Sequence, residues 1–175
     1  MGFELDLSLP LHLSIHFFMA LLSGLVFGLI FKRIRLGLIA GILGGFLIDL
    51  DHVLEYFFVF GLKFNLTDFF NGLQFLTSDK IWLIFHGYEY FPLLIFLAYF
   101  LRKKEAFSFF LITLAFAGFV HLISDSYINN FPPKNYSIIY RASKNFSAPE
   151  LLSPAQWERN LKAKAKLGME QLALS

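Results

Sequence analysis

Apolar residues run nearly unbroken through four stretches of the chain, and basic residues gather between them. The first stretch covers about 11–31 and stops at Lys32-Arg33-Ile34-Arg35. The second covers about 34–60, the third about 81–101, ending at Arg102-Lys103-Lys104, and the fourth about 106–128. Each is long enough to cross a hydrocarbon core, which takes about 20 helical residues. The predicted fold is therefore all-α, a polytopic membrane protein of four transmembrane helices with a short extramembrane C-terminal tail. Residues 1–130 are expected to form the transmembrane domain and 131–175 the tail, because Asn129-Asn130-Phe131-Pro132-Pro133 ends any helix. Within the tail, Ser153-Pro154-Ala155-Gln156 has the order of an N-cap, a first-position proline and an N3 glutamine. An amphipathic helix follows over about 154–173, with Trp157, Leu161, Ala165 and Leu172 on one face and Lys162, Lys164 and Lys166 elsewhere. Residues 61–80 read as a polar-aromatic loop on the membrane surface.

Composition supports a lipid environment. The chain of 175 residues is 57% hydrophobic and only 16% charged, with 24 Phe. Soluble domains carry roughly a quarter charged residues, and so many rings exceed what one small core can hide. A disordered or disulfide-framed protein is excluded, and with no Cys there is no thiolate to hold a metal. The net charge of +2 gives no reason to expect nucleic acid. The first stretch lacks a basic leader and a small-residue exit, so it is expected to stay in the membrane. Six Lys/Arg lie at positions 32, 33, 35 and 102–104, against Lys63 and Lys80 in the intervening loop. The positive-inside bias puts the six on the cytoplasmic side and both termini outside.

Ionisable residues inside spans are expensive and are functional candidates by default. Here they are His16, Asp49, Asp51, His52, Glu55, His86, Glu89, His121 and Asp125, with His12 at the edge. Counting helical rise from the nearest basic cluster places His16, His52, His86 and His121 at nearly one depth, roughly 24–26 Å away. Asp49, Asp51, His52 and Glu55 share an arc of about 160°. His121 and Asp125 stand at i and i+4, His86 and Glu89 at i and i+3, so each pair shares a face. Gly37, Gly41 and Gly45 lead in steps of four to Asp49, and Thr113 and Ala117 lead likewise to His121 and Asp125. Small residues let helices approach closely, so both stripes are expected to point inward, leaving faces such as Phe57-Phe58 and Phe109-Phe110 to lipid.

Imidazoles and carboxylates together suit Zn, Mn or Fe, whereas an all-oxygen set suits Mg or Ca. The set exceeds the needs of one tetrahedral Zn and allows one or two ions. The metal ligands are expected among His16, Asp49, Asp51, His52, His86, His121 and Asp125. A spare carboxylate, Glu55 or Glu89, is the candidate general base. His12 reads as interfacial. Tyr140 and Arg141, after the last span, could bind substrate by setting a guanidinium over a phosphate.

Asp49-x-Asp51-His52 at the end of a glycine-rich helix resembles the D-x-D-H motif of the bacterial and archaeal membrane-bound metal-dependent hydrolases, the LexA-regulated inner-membrane type. His16 and His121-x-x-x-Asp125 look like that family's other signature positions, in matching order over about residues 12–130. The resemblance implies a metal-dependent hydrolase embedded in a prokaryotic cytoplasmic membrane. It departs at Ile48, where the family usually has Pro, and at His86-Gly87-Tyr88-Glu89, where the family's middle motif is typically H-R-G-x-T-H.

The expected activity is hydrolysis of a phosphoester or similar bond in a lipid or lipid-linked headgroup, with Zn the first choice of metal and the site near the outer face. A divalent-metal transporter, a di-iron oxidase and a metal-stapled structural subunit are the alternatives.

Overall fold

The computed structural model describes residues 9–169. The described residues are helical and contain no strand, beyond one isolated bridge between Lys80 and Ser147. The helices are α1 (Leu9–Ile30), α2 (Ile34–Gly45), α3 (Leu50–Phe60), α4 (Leu66–Phe70), α5 (Leu73–Ser78), α6 (Tyr90–Phe100), α7 (Glu105–Ile128), α8 (Ile138–Ser143), α9 (Ala148–Leu151) and α10 (Pro154–Lys166). A 3-10 turn at Leu47–Asp49 joins α2 to α3. The contacts divide the chain into two units. One comprises the described residues up to Leu50 together with Phe85–Ile138; the other comprises Asp51–Ile84 and the described residues from Ile139 onward.

Three helical runs are long and apolar enough to cross a membrane: Leu11–Ile30, Ile34–Phe60 and Glu105–Ile128. The third expected span differs. Only its second half, the eleven residues of α6, is helical, and it reaches about 16 Å at the helical rise. Pro92 explains where the helix begins, because proline is tolerated in a first turn but not further inside. Ahead of it, Leu83 has a φ of 40°, outside the helical range.

In the first unit α1, α2, α6 and α7 pack together, and glycine sets the spacing. A Cβ on Gly24 would meet the Gly37 carbonyl, and one on Gly41 would meet the Ala20 carbonyl. Backbone therefore lies on backbone along α1 and α2. Gly45 closes the seam, with room for no Cβ between Ala20 Cβ at 2.9 Å and Ala117 Cβ at 3.3 Å. On α7 the stripe Thr113, Ala117, His121, Asp125 is buried throughout, as its spacing predicts. Phe109 departs from expectation. It is buried against Phe31, with ring centroids 5.4 Å apart, instead of facing outward. Large apolar side chains such as Phe18, Leu22, Leu93 and Phe96 remain more than half exposed, as faces turned to lipid would be.

The second unit is built from short helices and connecting straps. Backbone bonds from Ile81 to Phe146 (2.9 Å) and from Ala148 to Asp79 (2.8 Å) tie its two chain segments together. The expected capping box is present: the Ser153 hydroxyl accepts from the Gln156 amide, and the Gln156 side chain accepts from the Ser153 amide. The buried face of α10 agrees with the expected one only at Trp157, which is half-buried. Leu161 and Ala165 are exposed, whereas Lys164 is buried, its Nζ 2.5 Å from both carboxylate oxygens of Asp79 and over the Trp157 ring. A buried ammonium needs such a partner, and meeting Asp79 rotates the helix away from its apolar stripe. Residues 170–173 of the expected helix, Leu172 among them, lie outside the described residues.

Replacing Gly41 with Leu should separate α1 from α2 and destabilise the protein by about 1–3 kcal/mol. Unfolding of purified protein in detergent measures this, with Ile39→Leu on the exposed face of α2 expected to change little.

Candidate metal centre

The second helical run breaks where the glycine stripe ends. α2 stops at Gly45 and the chain passes through a 3-10 turn, so the Gly45 carbonyl is among the last of its helix and has no α-helical partner. His121 on α7 supplies one: its Nδ1 lies 3.0 Å from the Gly45 oxygen. A carbonyl only accepts, so Nδ1 carries the hydrogen. In the neutral ring, Nε2 is then left as a lone pair.

That lone pair meets three other groups. His121 Nε2 is 3.2 Å from His86 Nε2, 3.4 Å from Asp49 Oδ1 and 3.5 Å from Asp125 Oδ2. His86 Nε2 is in turn 3.3 Å from Asp49 Oδ1 and 3.4 Å from Asp125 Oδ2. Five edges of a four-cornered figure thus fall between 3.2 and 3.5 Å. A tetrahedron of that edge has its centre about 2.0–2.1 Å from each corner, the bond length Zn takes to imidazole and carboxylate. His86, His121 and Asp125 are buried, and Asp49 is 19% exposed at its side chain.

Each corner is held by a different piece of chain. Asp49 ends the 3-10 turn after the glycine seam. His121 and Asp125 share one face of α7. His86 does not lie on a helix, as its spacing to Glu89 had suggested, but on the irregular segment before α6. That segment is pinned by residues 136–138: the Tyr88 amide donates to the Tyr136 carbonyl at 3.1 Å, and the Tyr136 ring lies 6.3 Å from His86. The Glu89 carboxylate accepts from the Ser137 hydroxyl and, at 3.0 Å, from the Ile138 amide. Gly87 makes this fit possible, since a Cβ there would strike the Ile138 side chain.

A second group adjoins the first through Asp125. His16 Nε2 lies 3.0 Å and His12 Nε2 3.5 Å from Asp125 Oδ1, and the two nitrogens are 2.8 Å apart. His12 was read from sequence as an interfacial residue; its position one turn before His16 on α1 was the signal that could have placed it here.

No family model, curated protein or solved structure matches this chain. The centre therefore rests on its own geometry.

The donors fit a divalent cation. Two carboxylates and up to four imidazoles are an N/O set suited to Zn, Mn or Fe. Buried carboxylates of like charge need a cation between them. The atoms also converge on shared points instead of pairing off. Asp125 Oδ1 is shut away from solvent and accepts no hydrogen bond of ordinary geometry among the described residues.

The remaining predicted residues lie in the second unit. Asp51 is buried in the first turn of α3, and the His52 ring packs edge-on to Phe75 at 5.8 Å. Glu55 is buried, and its Oε1 accepts from the Trp82 amide at 2.8 Å. Arg141, expected to set its guanidinium over a substrate phosphate, is instead fully buried, donating from Nη2 to the Leu83 carbonyl at 2.8 Å. It lies within electrostatic reach of Glu55, and Tyr140 beside it is half-buried.

Purified protein should retain a divalent ion through dialysis. His121→Ala and Asp125→Asn should each weaken retention by more than the roughly 10–100-fold that loss of an outer hydrogen-bonding partner costs. Elemental analysis across a series of free-metal concentrations measures the difference.

Proposed function

We propose that the protein is a membrane-embedded, metal-dependent hydrolase acting on a phosphoester or similar bond of a lipid or lipid-linked headgroup. The observation that carries this reading is the convergence of Asp49, His86, His121 and Asp125 at near-equal separations inside a bundle of apolar helices. A transition-metal ion held there would polarise a phosphoryl or carbonyl oxygen and lower the pKa of water. The chain's own part is positional. The Gly45 carbonyl fixes the tautomer of His121. The clamp of Ser137 and Ile138 on Glu89 fixes the segment bearing His86. The glycine seam fixes the turn bearing Asp49.

A lipid substrate is favoured by the surroundings. In the same unit, a cavity of about 630 Å³ is walled by apolar side chains, Phe27, Phe91, Ile95, Ile112 and Phe116 among them, and by Tyr88. Its lining suits an acyl chain and offers almost nothing to a polar metabolite. Tyr88 also links the cavity to the centre. It stands two residues after His86 on the same segment, and its phenol can donate to a headgroup oxygen.

The irregular segment around His86 is compatible with a membrane setting, because non-helical backbone at that depth is tolerated where protein buries it. On this reading α6 enters the bilayer as a partial span beside three complete ones, in a prokaryotic cytoplasmic membrane with the centre toward the outer face. Zn is the metal of first choice, with Mn and Fe as alternatives. Of the positions that carry the resemblance, His16, Asp49, His121 and Asp125 lie in this unit beside one another, which favours a relationship to the membrane-bound metal-dependent hydrolases, whereas Asp51 and His52 lie in the second unit.

The purified protein in mixed micelles should release phosphate or a phosphorylated headgroup. EDTA should abolish turnover and Zn or Mn restore it. Asp49→Asn should lower kcat/KM about 10²–10³-fold, as losses of transition-state charge stabilisation do. Absence of turnover on every lipid class, with metal still bound, would reject the enzyme. Metal flux in proteoliposomes would point to a transporter instead.

A further inference from the structure

We propose that the centre is built for two divalent ions, bridged by Asp125, with His12 and His16 holding the second. This deepens the hydrolase reading and rests on it. Oδ2 of Asp125 belongs to the set with His86 and His121, whereas Oδ1 turns to the two imidazoles of α1. One carboxylate thus serves both groups through different oxygens, an arrangement that spaces ions by roughly 3.5–4 Å in two-metal hydrolases.

Two observations point to a ligand at this second position. The first is the convergence of three donor atoms, His12 Nε2, His16 Nε2 and Asp125 Oδ1, at 2.8, 3.0 and 3.5 Å from one another. The second is that Asp125 Oδ1 is buried without a properly directed hydrogen bond among the described residues. An acceptor with two imidazole nitrogens at 3.0 and 3.5 Å is placed to share a cation with them. The i, i+4 spacing on α1 sets both rings on one helical face, with centroids 4.4 Å apart.

The two positions differ in the number of protein ligands. The first is offered four and the second three, so the second keeps a position open even at four-fold coordination. His16 is fully buried at its side chain whereas His12 is 20% exposed, so the open side lies toward His12. The ligand class expected there is the anionic oxygen of a phosphate ester. His12 is then a metal ligand of the reacting ion and not an interfacial side chain.

The test is metal stoichiometry of the full-length protein in detergent, loaded with Mn or Zn and freed of excess ion. The wild type should hold two ions per chain and His12→Ala one. His12→Asp, which restores an oxygen donor, should again hold two. With Mn, the wild type should show the exchange-coupled spectrum of a bridged pair, and His12→Ala the six-line spectrum of an isolated ion. A single ion in both wild type and His12→Ala overturns the second site and leaves the hydrolase reading standing. No bound ion in the wild type overturns both. Unchanged helical circular dichroism and elution volume of each variant establish that the comparison is between folded proteins.

Discussion

The hydrogen bond between His121 Nδ1 and the Gly45 carbonyl is the constraint on which the centre depends. It exists because α2 ends at Gly45, and α2 can end there beside α7 because residue 45 has no side chain. One break in a helix therefore does two things: it frees a backbone acceptor that orients an imidazole, and it carries Asp49 around a tight turn to face that imidazole. Had the helix continued regularly, the carbonyl would have been satisfied along the axis. Deleting a second-sphere contact of this kind usually weakens metal affinity by about 10–100-fold, although here the partner is main chain and no point substitution removes it cleanly.

Apolar surroundings raise the stakes of every polar group in the cluster. A buried carboxylate without a counter-charge is costly, and here Asp49 and Asp125 approach the same pair of imidazole nitrogens. Protons on the histidines could balance them, but Nε2 of His86 and of His121 stand 3.2 Å apart, too close for both to carry hydrogens pointing at each other. A shared cation resolves the conflict with one charge at one point. The buried surroundings also keep water from competing for the donors.

Much of this was legible in the sequence where a regular period governs the structure. The α7 stripe from Thr113 to Asp125 and the α2 glycines read correctly because a straight helix repeats its faces. Ser153 and Gln156 read correctly because a capping box is local. His86 was drawn to the right cluster on the wrong scaffold: its segment is irregular, and the residues that pin it, Tyr136 to Ile138, lie some fifty positions away. Pro92 was the available sign that α6 begins late. His12 reads as interfacial because a histidine at the edge of an apolar run has that ordinary explanation, and only the fold shows it beside His16 and Asp125. Arg141 and Lys164 show the same limit on the other side. Both are charged residues in a polar stretch, and both are buried through partners, the Leu83 carbonyl and Asp79, that no local pattern announces.

Each unit is assembled from two separated lengths of chain, and this has a bearing on how the protein is made. The ribosome delivers α1, α2 and the turn with Asp49 long before α7 exists. Until residue 125 emerges, His16 and Asp49 stand in apolar surroundings without the carboxylate and imidazole they later face, a state in which unsatisfied polar groups invite misassembly. The glycine seam between α1 and α2 needs nothing from the later chain. It can form first, giving the nascent hairpin a defined shape to wait in while the rest of the centre is synthesised.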